Sequence, residues 1–258
     1  MFTRSDFAAL DGFRFERFEL PNGLVLFVQR SARFKTLVVE AFIHSHLTER
    51  PTHTALVPHV LRRGCARYPN APRMVQRLNF LYGAALSTDI AKIGERQILT
   101  FRLEFVSDRF LPRKGNLRNG IQFLADVMLR PLVVGNGFSP RYMETEKTNL
   151  RRFIESLIDD RATYAAERCV QEMCKDEPYG IYEHGRLEDI AAIDGRQLLS
   201  WHRALTRRNP IQVFVAGNVD PDEVRRVVES AFSFKRGKTV VPAPTRTDSR
   251  PAAGREVH

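Results

Sequence analysis

The feature that most limits the fold is a series of short alternating apolar segments separated by turn residues. Phe15–Arg30 (F-E-R-F-E-L-P-N-G-L-V-L-F-V-Q-R) alternates into Pro21-Asn22-Gly23 and returns as a more apolar run. A β-hairpin follows, with Gly23 where positive φ is wanted. Lys35–His44 is a third strand, rich in β-branched residues. Ala84–Lys92 and Arg96–Val106 form a pair turned at Gly94, and Ile211–Gly217 is a buried strand near the end. Strands of this kind bury one face and need a second layer to cover it.

Helical spacing supplies that layer. The pattern predicts helices over Thr52–Arg62, Asn70–Tyr82, Leu117–Leu129, from Ser139-Pro140 to about Leu157, Thr163–Cys174, Arg196–Thr206 and Pro221–Phe232. A short helical turn at Leu187–Ile193 completes the set. In Asn70–Tyr82, Asn70 serves as cap, Pro72 fits the first turn, and Val75, Leu78 and Leu81-Tyr82 recur on one face. The expectation is one α+β domain over residues 1–234, a mainly antiparallel sheet with helices packed on one face. Residues 235–258 are basic, rich in proline, threonine and alanine, and without apolar period, as in a linker or tail.

Composition narrows the function classes. Hydrophobic residues make up 43% and charged residues 27% of 258, the balance of a soluble globular chain. A net charge of +10 favours nucleic acid, an acidic membrane or an acidic protein as partner over a basic one. The cations, however, are spread along the chain without a block or interleaved aromatics, so nucleic-acid binding is not expected and a solvated surface is. No apolar run approaches the roughly 18 residues of a membrane span. Arg4, Asp6 and Asp11 interrupt any leader-like core in Met1–Phe13, which predicts a cytoplasmic protein. Cys65, Cys169 and Cys174 match no zinc spacing and predict buried or half-exposed free thiols, with Cys169 and Cys174 as core filler rather than a nucleophile or redox site.

The chemically pointed stretch is Thr54–Gly64, T-A-L-V-P-H-V-L-R-R-G. The inverted zincin motif H-x-x-E-H sets two histidines at i and i+4 on one helix face, with a glutamate between them as general base. Aligning its second histidine on His59, five residues before Gly64, places Pro58 at the glutamate and Ala55 at the first histidine. Neither can bind zinc or move a proton. Proline is tolerated in a first turn, so Pro58 alternatively marks a helix start rather than an interior kink.

The order of these pieces resembles the insulinase (pitrilysin-like, M16) family. L-P-N-G-L-V-L-F-V at Leu20–Val28 looks like its opening strands, and V-F-V-A-G-N-V at Val213–Val219 like its closing strand. The resemblance covers nearly all of residues 15–234 and implies a LuxS/metallohydrolase-like two-layer αβ sandwich. The family's third zinc ligand is a glutamate seven residues after another glutamate. In E-T-E-K-T-N-L-R-R-F-I-E the first is Glu146 and the ligand position is Phe153. Glu155 lies about 200° away around a helix and cannot substitute without a register change. Ala55, Pro58, His59 and Phe153 are thus vestigial metal-site positions, and no metal or other cofactor is expected.

Within the family the match is best to non-catalytic bacterial members found beside a catalytic relative. It rests on L-V-P-H-V-L-R-R-G at 56–64, L-N-F-L-Y-G-A at 78–84, residues 146–160, and E-M-C-K-D-E-P-Y-G at 172–180. That branch is associated with modification of translation elongation factor P. Family members usually carry two similar halves, and this sequence matches the first. The resemblance implies a regulatory or peptide-binding protein that forms a heterodimer with an H-x-x-E-H-bearing relative and meets a second half-domain.

Two other readings compete. His44, His46, His53 and His59 fall close together, and His44 and His46 share a strand face, so zinc ligands could have moved. No carboxylate sits among them at zincin spacing, and a polar strand end is the plainer reading. The basic balance suggests a nucleic-acid- or ribosome-associated module. Asp159-Asp160 is expected to close one helix and cap the next, Trp201-His202 to pack, and Tyr179–Tyr182 to form an ordered, partly buried loop against the cleft.

Overall fold

A computed structural model describes residues 14–241. The opening hairpin pairs β1 (Phe15–Glu19) with β2 (Val25–Arg30), Phe15 opposite Gln29. Gly23 sits at φ 76° in its turn, where a Cβ would be strained. Next come β3 (Thr36–His46), α1 (Pro51–Leu61) and α2 (Ala71–Phe80). The pair β4 (Ala85–Ile93) and β5 (Arg96–Val106) leads to α3 (Asn116–Leu129). A small ribbon of β6 (Val133–Val134) and β7 (Gly137–Phe138) precedes α4 (Pro140–Ser156), α5 (Arg161–Met173), α6 (Leu187–Ala192) and α7 (Gly195–Arg208). The last described elements are β8 (Ile211–Gly217) and α8 (Pro221–Ala231).

Six strands form one sheet in the order β1-β2-β8-β3-β5-β4. Only the β2–β8 pairing is parallel. Because side chains alternate, cross-strand partners share a face. Leu26, Val213 and Ala41 align across three strands, as do Val215, Val39 and Leu103, and all of them are buried. This face meets α1, α3, α7 and α8 and holds the core. The opposite face is half-buried, with Phe27 beside Phe214 and the Glu40 carboxylate accepting from Arg102 at 2.6 Å. The fold is therefore a mixed, mostly antiparallel sheet covered by helices, as the pattern predicts.

Three expectations shift. Pro58 lies well inside α1, which begins at Pro51, so it is an interior proline and not a helix start. In α2 Met74 is buried, Leu78 packs on the core and the following Leu81 is buried, while Val75 is 53% exposed, so the core-facing stripe keeps Leu78 and Leu81 but runs through Met74 in place of Val75. Cys169 is exposed, its Sγ 3.5 Å from Met173 Sδ, and is not core filler; Cys65 is buried. Asp160 does cap α5, accepting from Thr163 N at 3.1 Å. Past α8, residues 233–241 lack regular structure yet are tied down. Gly237 N donates to Arg207 O (3.1 Å) and Val240 N to Arg208 O (2.7 Å).

Candidate functional site

The site is built on α1, which is buried almost all round: Thr52, Thr54–Pro58, Val60 and Leu61 are all covered. A helix with so little polar face belongs in the interior. It packs against α4, α7 and β5. Pro58 has no N–H to give to the carbonyl one turn back, a loss that costs about 3 kcal/mol in an isolated helix. Here the helix continues, with Arg62 N donating to Pro58 O at 3.1 Å.

Ala55 is fully buried, as is Pro58, and His59 is half-buried at the rim. On α4, Glu146 and Phe153 lie seven residues apart, close to two turns, and so on one face. Glu146 is 2% exposed and is held by Arg63 Nε and by Asn149 Nδ2 at 3.3 Å. Its charge is therefore committed to a guanidinium from the end of α1. Phe153 is half-exposed, and its ring lies 4.6 Å from that of His184, which in turn lies 5.2 Å from Tyr182.

His184 is the residue sequence reasoning missed. The expected ordered loop at Tyr179–Tyr182 was placed against the cleft, but it continues through His184, whose Nδ1 is buried and unpartnered among the described residues. The signal available was the glycine directly after it. Gly185 has φ 82°, and a Cβ there would come 2.2 Å from Thr52 Oγ1. Thr52 Oγ1 donates to Asp189 Oδ2 (2.9 Å) and accepts from Arg186 N (3.1 Å), and Gln97 Nε2 bonds both Pro51 O and Glu183 O. The loop is thus bolted to the first turn of α1.

Burial is the main cause that pushes the pKa of His59 below the ordinary histidine value; Glu146 and Asp89 oppose it, and Arg62 and Arg63 add to it. Burial likewise lowers His184, opposed by Glu183 and Asp89 and reinforced by His59. Both imidazoles are therefore neutral near pH 7. Burial, with Glu183 and Glu167 adding to it, raises Tyr182 to about 12, so it remains a phenol.

These side chains do not suit a catalytic zinc, which needs three protein donors and an activated water. Ala55, Pro58 and Phe153 offer no donor, and Glu146, whose charge acts on His59, is already paired with Arg63. Among the described residues no group of three His, Cys, Asp or Glu side chains could hold a metal ion. The histidines of the relocated-ligand reading have separate partners. His44 Nε2 meets Gln212 Oε1 at 3.1 Å, and His46 Nδ1 meets Thr48 Oγ1 at 2.8 Å, with Glu95 3.5 Å from its Nε2. His53 feels Arg50, Asp189 and Asp194 instead. Trp201 packs as expected, its Nε1 donating to Thr54 Oγ1 at 2.8 Å.

No family model matches the chain. It is 32% identical over 213 residues to the "Probable inactive metalloprotease YmfF" of Bacillus subtilis, an alignment covering 82% of this chain and 50% of that protein. A conserved protein from Enterococcus faecalis V583 superposes with TM-score 0.82 at 22% identity, over 91% of this chain and 56% of the other. The peptidase M16 inactive domain from Pseudomonas fluorescens gives TM-score 0.74 at 13% identity, over 92% and 54%. The chain spans about half the length of each. Fold and site together define an M16-peptidase-like αβ domain in which no zinc-ligand set stands among the described residues. In sequence and fold the chain matches non-catalytic, YmfF-like M16 (insulinase/pitrilysin) proteins.

Proposed function

We propose that this chain supplies one half of a non-catalytic M16 protein that pairs with an H-x-x-E-H-bearing relative and helps form that relative's peptide chamber. The observation that carries the reading is a packed core around Ala55 and Pro58, with the apolar Phe153 at its exposed edge, at the positions where zinc chemistry would sit. Burial of the sheet against its helices does not depend on those ligands, so the scaffold can persist while chemistry resides in a partner. The half-length match supports a second half-domain as an immediate neighbour. We take residues 1–234 as the folded unit and 235–258 as the connection onward. The place of action is the cytoplasm, and the branch's association with elongation factor P modification names the process to examine.

The test is a native pull-down of the tagged chain from source-cell extract, at moderate salt and with nuclease, read by mass spectrometry beside a zinc assay. Stoichiometric recovery of an M16 chain with an intact H-x-x-E-H is the expected result. One equivalent of zinc with EDTA-sensitive peptide cleavage by this chain alone would overturn the reading.

A further inference from the structure

The end of α7 and the segment that follows α8 carry charge that the fold does not use. Arg203 and Arg207, one turn apart on α7, are exposed, as are Arg208, Lys235 and Lys238. The bonds from Gly237 N to Arg207 O and from Val240 N to Arg208 O lay residues 237–240 directly against the α7 terminus, so these cations form one cluster. No acidic residue occurs in 195–217 or in 232–241. Among the described residues, none of the five takes part in an ion pair within the salt-bridge distance.

The ordinary reason for cations here is to complement the negative end of the helix dipole and its unpaired carbonyls. That role is already filled. Arg236, half-buried and with its pKa lowered by burial, donates to Thr206 O at 3.3 Å and to Asn209 O, and reaches Asn22 O at 3.5 Å. The backbone N–H groups of residues 237 and 240 take the carbonyls of Arg207 and Arg208. Five free positive charges thus surround a helix end that is already capped. Beside them Val240 and Val241 are 58% and 67% exposed.

We infer that this patch docks an acidic protein surface, with carboxylates opposite Arg203, Arg207, Arg208, Lys235 and Lys238 and an apolar contact over Val240–Val241. Charge complementarity selects a polyanion. The patch has no exposed aromatic ring for base stacking, and Trp201 is half-buried and bonded to Thr54, which disfavours a single-stranded nucleic acid. Exposed valines at the rim favour a protein, whose interfaces combine an apolar centre with charged margins. None of the residues around His59 is involved, so this surface stands or falls separately from the chamber reading.

The test uses the full 258-residue chain. A fluorescent glutamate-rich peptide with interspersed leucines is titrated by anisotropy against the native chain and R203E/R207E. An R113E/R118E variant carries the same charge change at exposed positions just before and in the first turn of α3 and serves as control. Saturable binding that weakens with salt, falls about tenfold or more in R203E/R207E and survives in R113E/R118E is expected. So is weaker binding of an RNA oligonucleotide of equal charge. No binding, equal loss in both variants, or tighter binding of the RNA would overturn the inference.

Discussion

At the scale of single residues, the positions around His59 are governed by packing. Ala55 is fully buried, and its methyl fits a packed interior. Returning the ligand by Ala55→His therefore inserts a ring where there is no room, an overpacking that costs about 1–3 kcal/mol. We expect a lower melting temperature for A55H that added zinc does not raise; zinc rescue of the melt would show that the site can still assemble. His202 offers a second residue-scale prediction. It is buried against Phe138, its Nε2 donates to Met128 O at 2.8 Å, and burial drops its pKa from 6.5 to about 4. As pH falls, the unfolded imidazole takes up a proton first. Stability is therefore intact above about 6.5, is lost between 6.5 and about 4, and levels off below. The loss amounts to roughly 3 kcal/mol from this group. His44, His53, His59 and His184, also lowered chiefly by burial, add in the same direction. His202→Gln keeps a donor for Met128 O but does not titrate, so urea melts should show a shallower acid slope. An unchanged slope would contradict the assignment.

At the scale of elements, the decisive pairing is the Tyr182–Arg186 loop against the start of α1. Thr52 contributes one hydroxyl to two bonds, and only glycine fits at 185. Gly185→Ala must adopt a left-handed backbone and also meet Thr52 Oγ1 at 2.2 Å. Strain and overlap together cost about 2–4 kcal/mol. We expect G185A to unfold at lower temperature and to expose Arg186 to trypsin under native conditions; full trypsin resistance would mean that the loop is held by other contacts. The same clamp places His184 on Phe153, so loss of the clamp should also free that ring pair.

At the scale of the whole molecule, β8 governs the sheet. The last described strand lies between β2 and β3, Val25 facing Gln212 and Ile43 facing Ile211. Among the described residues, the β1–β2 hairpin therefore joins the rest of the sheet only through β8, about 180 residues further along the chain. Such long-range pairing delays the reward for closing the chain and slows folding. A chain ending at Arg208 lacks β8 and α8 and leaves Val28, Val39 and Ala41 without cover. It is expected to show no cooperative thermal transition by circular dichroism. A sharp melt in that truncation would show that β3, β4 and β5 form an independent core.

The sequence by itself determined the main strands, the helices and the α+β class, because each follows from local period or spacing; the reading of Ala55, Pro58, His59 and Phe153 as vestigial positions rests on the family resemblance. Alternation in Lys35–His44 and the asparagine cap at Asn70 need no distant partner to be read. The position of β8, the guanidinium of Arg63 on Glu146 and the arrival of His184 beside Phe153 were decided by tertiary structure alone. Each joins residues far apart in the chain, and spacing carries no information about which segments meet. Pro58 marks the boundary between the two. Local propensity favours it in a first turn, but burial of the surrounding α1 side chains holds it inside a helix that local sequence would have broken.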